Sequence, residues 1–560
     1  MSFRLSLSKM FDKPTLYKPG GLRYDSADSK ETEACPMQSA SPTQRAGFVA
    51  ALCCFLFALT TALYFVIGPA NAEFHADCAD TLAWAEASAD AGALVNPDFS
   101  YACLLPFGGQ LLMQPFIPLF GVSMTTHILG MALFTLLLAG AALWLMRACG
   151  HGWSAAFLSS AALLLCLLVS FKLREIFYNH VIYYSLGALF LMAGLALALH
   201  AERACGRKKL RWCLLLGGWS LLCATDGLMA LALFSVPLIA GLLLERLLSH
   251  DSLRSPSAWL PAACVVIGSL AGCAVGALLR GDVTTAYADG FSGFSAPETW
   301  SDHLRLLLTH WTSLLGVEAV DGLAFQSADG LRQLALLFFA LTLAALPLLA
   351  LLCYRRLSRP TRILVLSHWT LTLILLAGFV FGQLSVANWR LSPLVASSLL
   401  VSACWACDML KGVSLPCRRL GALGAAFLLA MSGVSAAHVY ALPLVSAASQ
   451  AQDALIADLE AHDLSYGYCL YFQQCGPVTV RSAGKVKLRQ VDVVDDMLVP
   501  ATFQVNSRWY EDQPGQETYF FLIATELIGD YEHLIPYDYT DSFESGSYTV
   551  YVCDYNFMNE

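Results

Sequence analysis

Residues 47–69 read GFVAALCCFLFALTTALYFVIGP, an apolar run of 23 residues without a charged side chain. A helix of about 20 such residues spans a bilayer, whereas the apolar stretches of a soluble core are shorter. Ten similar runs follow, near residues 123–147, 152–171, 181–200, 212–224, 227–247, 258–279, 331–353, 363–385, 391–410 and 420–442. The short fifth run meets the sixth at Thr225-Asp226-Gly227, so these two are either a tight hairpin or one long broken helix. The sequence therefore predicts an α-helical polytopic membrane protein with about eleven spans.

The composition of the 560 residues agrees with a membrane protein, since 57% are hydrophobic and only 13% are charged. Such values exclude a disordered chain, an ordinary soluble enzyme and a nucleic-acid binder with a basic face. The formal net charge of −9 is unevenly distributed. Residues 443–560 hold 5 basic and 18 acidic residues, against 28 and 24 in the rest of the chain. A slightly basic, apolar body is thus followed by an acidic tail.

The orientation of the chain follows from its basic residues, because cytoplasmic loops keep an excess of Lys and Arg. Seven lie in the N-terminal tail, none lies in 70–122, and later clusters follow the even-numbered spans. We therefore expect a cytoplasmic tail (1–46), a transmembrane domain (47–442) with outer loops 70–122 and 281–330, and an extracytoplasmic domain (443–560). The alternative is a signal peptide cleaved near Ala70-Asn71-Ala72, but the first run exceeds the usual 7–15 apolar residues, which favours an uncleaved anchor.

The tail reads as a small α+β domain. Leu455, Ile456 and Leu459 share one face of a predicted helix, with Ser449 as its cap. Predicted strands cover 468–472, 478–481, 486–491, 519–523 and 548–552. We see no catalytic constellation in this segment.

Several motifs are absent from the sequence. It contains no Gly-rich phosphate loop, no HExxH and no GxSxG, which argues against nucleotide hydrolysis. Gly268, Gly272 and Gly276 repeat every four residues inside a span, a pattern typical of helix packing. The span interiors are almost free of ionisable side chains, whereas ion-coupled carriers usually need them.

Polar chemistry concentrates just after the first span, in the helix-like stretch HADCADTLAWAE at 75–86, with Gly92 as its expected stop. Helical spacing places Asp77, Asp80 and Trp84 on one face. Two carboxylates beside an aromatic ring suit the activation of a sugar hydroxyl by a general base. The alternatives are a solvated acidic face and a metal site formed by His75, Asp77 and Asp80.

The cysteines give one further expectation. Most of the 19 lie in or beside spans, where a thiol packs as a small apolar residue. Cys78 and Cys103 share the first outer loop, and an oxidising exterior would permit a disulfide between them.

A first span followed by an acidic outer loop, a surface helix, the stretch LPFGG at 105–109 and a second span near Phe120-Gly121 resembles the GT-C superfamily. Its members are integral-membrane glycosyltransferases, such as protein mannosyltransferases and lipid A aminoarabinose transferases, that use polyprenyl-phosphate sugars. The resemblance covers residues 47–442. It implies a catalytic carboxylate at Asp77, with Asp80 in reserve, although Asp-x-x-Asp replaces the superfamily's usual acidic pair. The tail is similar to outer domains of bacterial members.

The resemblance also implies cations for a carrier phosphate. Lys172, Arg174 and His180 lie between the third and fourth spans, where basic residues break the orientation pattern. Arg390, in NWRLSP at 388–393, is similar to an Arg-plus-Pro element found late in many GT-C chains, and Arg280 is a weaker candidate of the same kind. Alternatively, Lys172 and Arg174 snorkel to the lipid headgroups.

Residues 300–311 carry apolar side chains at helical spacing, which predicts a helix lying on the membrane plane. Such a helix either covers the substrate cavity beside the carrier lipid or only anchors the loop to the membrane surface.

The functional hypothesis is a cell-membrane glycosyltransferase that moves a sugar from a polyprenyl-phosphate donor to a glycan, lipid or protein acceptor outside, without nucleic acid. The site residues would be Asp77 and Asp80 for catalysis and Trp84, Lys172, Arg174, His180, Arg280 and Arg390 for substrate. No metal ligand is assigned and no cofactor is certain, with a divalent cation as the candidate. The alternatives are a transporter or flippase of lipid-linked glycans and a non-enzymatic envelope-assembly protein.

Overall fold

The computed structural model describes residues 42–249, 256–281, 283, 293–318, 321–412 and 414–559. Most of the predicted cytoplasmic tail, and part of the loop 281–330, lie outside these residues. Within them, nine helices are long and apolar enough to cross a membrane, and a pair bent by 115° makes a tenth if it is one span. The chain is therefore a multi-pass membrane protein.

The first half of the membrane region contains the outer loop between its first two spans. Its helices are α1 (Pro42–Ile67), α2 (Pro69–Ala72), α3 (Ala76–Ala91), α4 (Gly109–Met113), α5 (Ile117–Phe120), α6 (Met124–Ala148), α7 (Trp153–Cys166), α8 (Phe171–Arg174) and α9 (Tyr183–Arg203). A π-helical turn, Glu175–Asn179, continues α8, and together they bend away from α7. A π turn opens the regular hydrogen-bond ladder of a helix and is often found at functional sites.

The second half continues with α10 (Gly206–Ala224), α11 (Leu228–Ala230), α12 (Val236–Leu248), α13 (Pro256–Arg280), α14 (Trp300–Leu314), α15 (Ala328–Leu352), α16 (Arg359–Val380), α17 (Ser392–Leu410) and α18 (Leu415–Tyr440). Each of the eleven predicted runs falls in a helix, yet α10 does not qualify as a span. Its first turns hold four basic residues, Arg207, Lys208, Lys209 and Arg211. A turn with Gly227 at φ +70° separates α10 from the span Leu228–Leu248.

The glycine repeat in α13 packs as the sequence predicts. A Cβ atom at Gly268 or Gly272 would overlap a backbone carbonyl of α10, and one at Gly276 would overlap the carbonyl of Thr225, which follows α10. Only glycine therefore allows α10 and α13 to approach this closely.

The tail contains α19 (Ala447–Ala461), α20 (Phe472–Arg481), α21 (Ile528–Tyr531) and one sheet. Its strands are β2 (Tyr466–Cys469), β3 (Lys487–Val494), β4 (Met497–Pro500), β6 (Tyr519–Ala524), β7 (Asp541–Ser545) and β8 (Tyr548–Cys553), in the order β4-β3-β2-β6-β8-β7. Strand β2 runs parallel to β3 and β6, and the other neighbours are antiparallel. The remaining strands, β1 (Phe99–Ser100) and β5 (Val505–Asn506), pair the outer loop with the tail.

Two details of the tail differ from expectation. Ser446 caps α19, and Ser449 is the third helical residue that completes the capping box. The predicted strand 478–481 is wrong, because these residues form the end of α20, which packs on α3. At the contact, Gly476 lies so close to the Ala79 methyl group that a Cβ would stand 2.7 Å from it. The buried face of Leu455, Ile456 and Leu459 is confirmed.

Residues 48–560 form one compact unit by their contacts. The division into a transmembrane domain and a separate tail domain stays a prediction.

Candidate active site

The acidic face predicted after the first span lies on α3. His75 precedes the helix in an extended conformation, and Gly92 ends it in the left-handed region at φ +61°, so the expected stop is confirmed. Asp77, Asp80 and Trp84 all line one cavity. The shared face is therefore present, while the chemical role of each residue stays a prediction.

The active-site cavity, as we call it, has a volume of about 110 Å³. Distant parts of the chain form its walls. They are α3, the loop after β1, the π turn with the residues that follow it, Trp389 before α17, and Phe503 of the tail. The lining residues are Asp77, Asp80, Trp84, Ala102, Cys103, Glu175, Ile176, His180, Ile182, Tyr183, Trp389 and Phe503.

The two carboxylates of α3 differ in burial. The side chain of Asp77 is 45% exposed, whereas that of Asp80 is 12% exposed. Burial raises the pKa of both, and for Asp80 the nearby Asp77 charge raises it further, well above its usual range. Asp80 consequently keeps its proton at pH values at which Asp77 has already ionised.

Glu175 lies near Asp77 in the cavity lining and is compensated by two cations. The Lys172 Nζ atom lies 2.5 Å from Glu175 Oε2, and the His75 Nε2 atom lies 3.4 Å from the same oxygen. Burial opposes the imidazolium, but hydrogen bonds to Cys78 and Glu175 raise the pKa of His75 above its usual value. The result is a cluster of two carboxylates and two cations at the cavity.

One ligand atom each from His75, Asp77 and Glu175 lies within 4.8 Å of the others, which is compatible with a metal ion. This group contains Glu175 in place of the Asp80 of the alternative set that the sequence suggests. The Asp80 carboxyl instead lies 3.7 Å from His180, while the π turn brings Glu175 to His75. An imidazole with two carboxylates suits a divalent ion such as Zn²⁺ or Mn²⁺.

His180 is a buried histidine beside Asp80. Its residue is 6% exposed, and neither ring nitrogen has a hydrogen-bond partner within the described part of the chain. Burial lowers the pKa of His180 to about 3, so the ring is neutral at physiological pH. A neutral ring that lines a cavity with unpaired nitrogens can bind a polar ligand.

The predicted phosphate cations separate into two groups. Lys172 lies at the edge of the cavity, with its Nζ atom 4.6 Å from the centre of the Trp389 ring. Arg390, which follows Trp389 in the sequence, is 2% exposed. It donates from Nη1 to the Gln383 carbonyl oxygen at 3.5 Å. Arg390 is thus buried and does not line the cavity.

Arg174 and Arg280 lie away from the lining of this cavity. Arg174 is 3% exposed and makes an ion pair with Glu73, with Nη2 2.5 Å from Oε1. It also donates to the Leu168 carbonyl oxygen, so its charge is used inside the fold. Arg280 is exposed at the end of α13.

Trp84 is held rather than free to rotate. Its residue is fully buried, and Nε1 donates to Gln504 Oε1 at 2.6 Å. Phe503, Trp389 and Glu175 line the cavity, and Gln504 holds Trp84, although the sequence predicts none of them as a site residue. Phe503 and Gln504 lie about 420 residues after α3 in the chain and have no motif around them.

Cys78 and Cys103 are free thiols in this structure, so the disulfide between them is not formed. The two thiols have different surroundings. Cys78 is buried beside His75, whereas Cys103 lines the cavity near Asp80.

Two solved structures share this architecture over nearly the whole chain. ArnT from Cupriavidus metallidurans bound to undecaprenyl phosphate aligns with a TM-score of 0.54 at 12% sequence identity, over 92% of this chain and 98% of its own. ArnT from the same organism in the apo state gives 0.53 at 12% identity, over 92% and 99%. The chain has the GT-C fold.

The resemblance drawn from the first outer loop is thereby confirmed at the level of the fold. A third structure with the GT-C fold, the oligosaccharyltransferase of Archaeoglobus fulgidus in complex with zinc and sulfate, aligns with a TM-score of 0.41 at 12% identity, over 78% of this chain and 62% of its own. No protein-family model and no curated protein matches the sequence.

Proposed function

We propose that this chain is a membrane glycosyltransferase that moves a sugar from a polyprenyl-phosphate donor to an acceptor of the cell envelope on the outer membrane face. The observation that carries the proposal is the cavity in which Asp77 and Asp80, with unequal burial, meet in a GT-C fold. The ArnT structure with undecaprenyl phosphate supports the choice of carrier.

In the proposed reaction, Asp77 is the general base. Its carboxylate is the more exposed of the two and can reach a hydroxyl that enters the cavity. It takes the proton of the acceptor hydroxyl, and the hydroxyl oxygen bonds to the anomeric carbon of the sugar. The bond from that carbon to the phosphate oxygen breaks, and polyprenyl phosphate leaves with the electron pair.

Asp80 and His180 would orient the reactants. A protonated Asp80 carboxyl donates a hydrogen bond, and the neutral His180 ring can donate from one nitrogen and accept at the other. Their separation of 3.7 Å leaves both groups available to a sugar hydroxyl. The rings of Trp84 and Trp389 line the same cavity and offer apolar faces to the sugar.

The carrier would use Lys172 and an apolar groove. Lys172 is the cation at the cavity edge, and a charge-assisted hydrogen bond to a phosphate oxygen would offset the leaving group's charge. A second cavity of about 360 Å³ is lined mainly by apolar side chains of α14, α15, α16 and α17, among them Leu307 and Trp311. We assign this groove to the polyprenyl chain, which agrees with the amphipathic helix predicted at 300–311.

We also propose that His75, Asp77 and Glu175 can hold a divalent cation. The donor set fits, and a bound ion would replace the positive charge that Lys172 and His75 supply to Glu175 in its absence. When bound, such an ion would stabilise negative charge on the carrier phosphate. Prolonged dialysis against a chelator, followed by metal analysis and an undecaprenyl-phosphate binding assay, tests this assignment.

The transferase proposal is tested with the purified full-length protein in lipid nanodiscs. A panel of polyprenyl-phosphate sugars labelled in the sugar is supplied together with envelope extract, and transfer of label is measured. Asp77→Asn should reduce the rate about 10²- to 10⁴-fold, which is the usual contribution of a general base. Asp80→Asn should reduce it less, since the amide still donates a hydrogen bond.

Asp90→Asn is the matched control, because Asp90 lies on the same helix but is exposed and outside the cavity. It should transfer sugar at the native rate. A wild-type protein that binds these donors without transferring their sugar would refute the transferase and favour a carrier. Equal activity of Asp77→Asn and Asp90→Asn would refute the role of Asp77.

A further inference from the structure

The tail contains three cysteines, and the fold brings two of them together. Cys469 is the last residue of β2, a central strand of the sheet, and Cys475 lies in the first turn of α20. Both belong to the buried cluster on one face of the sheet. Cys553, at the end of β8, belongs to the cluster on the opposite face. The sheet therefore groups Cys469 with Cys475 and separates Cys553 from them.

The two grouped thiols contact the same backbone oxygen. Cys475 Sγ lies 3.3 Å from the Tyr471 carbonyl oxygen, and Cys469 Sγ lies 3.9 Å from it. The Tyr471 N–H also donates to Cys469 Sγ at 3.3 Å. Both sulfurs consequently lie at the short turn that joins β2 to α20. A bond between them would close a loop of seven residues, 469–475.

Cys475 lies directly beside the contact between the tail and the outer loop. The next residue, Gly476, is so close to α3 that a Cβ atom would stand 2.7 Å from the Ala79 methyl group. Cys475 also lines a small cavity of about 50 Å³ together with Asp80, the residue after Ala79. A bond from Cys475 to β2 would therefore stiffen the part of the tail that packs on α3.

We propose that Cys469 and Cys475 are a redox-active pair whose oxidation joins the first turn of α20 to β2 by a disulfide. The structure describes the reduced form, in which both thiols are free. In the oxidation, two S–H bonds break as the S–S bond forms, and the two electrons and two protons reduce a low-molecular-weight disulfide to two thiols. This inference concerns the tail and does not depend on sugar transfer.

Burial determines when this exchange takes place. Cys469 is fully buried and Cys475 is 7% exposed. Burial raises the pKa of the Cys475 thiol, and the adjacent Cys469 thiol raises it further. Because the thiolate is the nucleophile in exchange, the docked pair should react slowly, and the bond should form while the turn is open. The same burial then shields the disulfide from reductants.

The first measurement identifies the bond. Full-length protein in nanodiscs is equilibrated with mixtures of reduced and oxidised glutathione, then unfolded in N-ethylmaleimide, digested without reduction and analysed by mass spectrometry. In excess oxidised glutathione, the segment that contains Cys469 and Cys475 should lack both maleimide groups and two hydrogen atoms. Cys553 should carry maleimide at every glutathione ratio.

The second measurement follows the effect of the bond on α20. Closing a loop of seven residues removes conformational freedom from the open state of the turn. The amides of α20 should therefore exchange with deuterium about 50-fold more slowly in the disulfide form than in the dithiol form.

Two variants complete the test. Cys475→Ser keeps the size of the side chain without the second sulfur, so exchange in α20 should no longer respond to oxidised glutathione. Cys553→Ala is the matched control, because Cys553 lies on the opposite face of the sheet, and it should form the bond as the wild type does. Maleimide on both Cys469 and Cys475 at every ratio would overturn the proposal, and so would a disulfide from Cys475 to any other cysteine. Equal exchange of α20 in the two redox forms would refute the stiffening.

Discussion

Replacing Glu86 with Gln should loosen the docking of the tail on α3. Arg489 Nη2 donates to Glu86 Oε1 at 3.1 Å, and the two side chains are 5% and 11% exposed respectively. The Arg489 guanidinium also stacks on Trp509, 3.6 Å from the ring centre. This buried ion pair joins residues that are 403 positions apart in the sequence.

The expected magnitude follows from that burial. Removing one partner of a buried ion pair costs about 3–5 kcal/mol, because the other charge remains buried without compensation. Glu86→Gln retains a carbonyl acceptor and Arg489 keeps its stacking, so we expect the lower limit, about 3 kcal/mol. At 1.36 kcal/mol for each factor of ten, the local opening constant should rise about 150-fold.

Hydrogen exchange of the full-length protein in nanodiscs measures this opening. Peptides that cover α3 and β3 should exchange about 150-fold faster in Glu86→Gln than in the wild type. Glu460→Gln is the matched control, since Glu460 pairs with Lys485 at 3.3 Å in the same tail with side chains that are 41% and 69% exposed. An exposed pair contributes little, so its peptides should exchange at nearly the native rate.

Two results would refute the reasoning. Exchange in Glu86→Gln within about threefold of the wild type would show that the ion pair does not hold the tail. Equal acceleration by Glu86→Gln and Glu460→Gln would show that burial of the pair is not the cause.

Three further predictions concern the carrier, the base and the topology. Lys172→Gln should weaken undecaprenyl-phosphate binding about tenfold in a nanodisc titration, because the cation at the cavity edge is lost. Native affinity would assign Lys172 to packing. Sugar transfer should decline as the pH falls through the pKa of Asp77, because a base acts only when it is ionised. Burial raises this pKa. A rate that declines only at the ordinary pKa of an aspartate would contradict the prediction. Tags at both chain ends, probed in intact cells, should show only the C-terminal tag accessible, and two accessible tags would refute the odd number of spans.

The membrane architecture could be predicted because its signal is local. An apolar run such as 47–69 forms a helix in a bilayer whatever its neighbours are, since every backbone polar group must be satisfied internally. The signal for the end of α3 at Gly92 is equally local, because the left-handed conformation after a helix favours glycine. The fold of the body therefore follows from short segments of sequence.

The tail was harder to predict because packing determines its elements. Residues 478–481 contain Val, Thr and Val, which favour a strand, but they complete a helix that packs on α3. The close approach at Gly476 and Ala79 occurs between segments about 400 residues apart. No local pattern indicates such a contact.

The proposal that Asp77 is the base rests on its place in a sequence motif and, independently, on the unequal burial of the two carboxyls. Spacing along a helix makes Asp77 and Asp80 equivalent, since both project from the same face. The tail removes this equivalence, because Phe503 lines the cavity and Gln504 lines a second small cavity together with Asp80, while nearly half of the Asp77 side chain remains exposed. Unequal burial separates the acidities of two neighbouring carboxyls, and this separation is what distinguishes a base from a hydrogen-bond donor at one pH. The proposed division of roles on α3 therefore depends on residues more than 400 positions away in the chain.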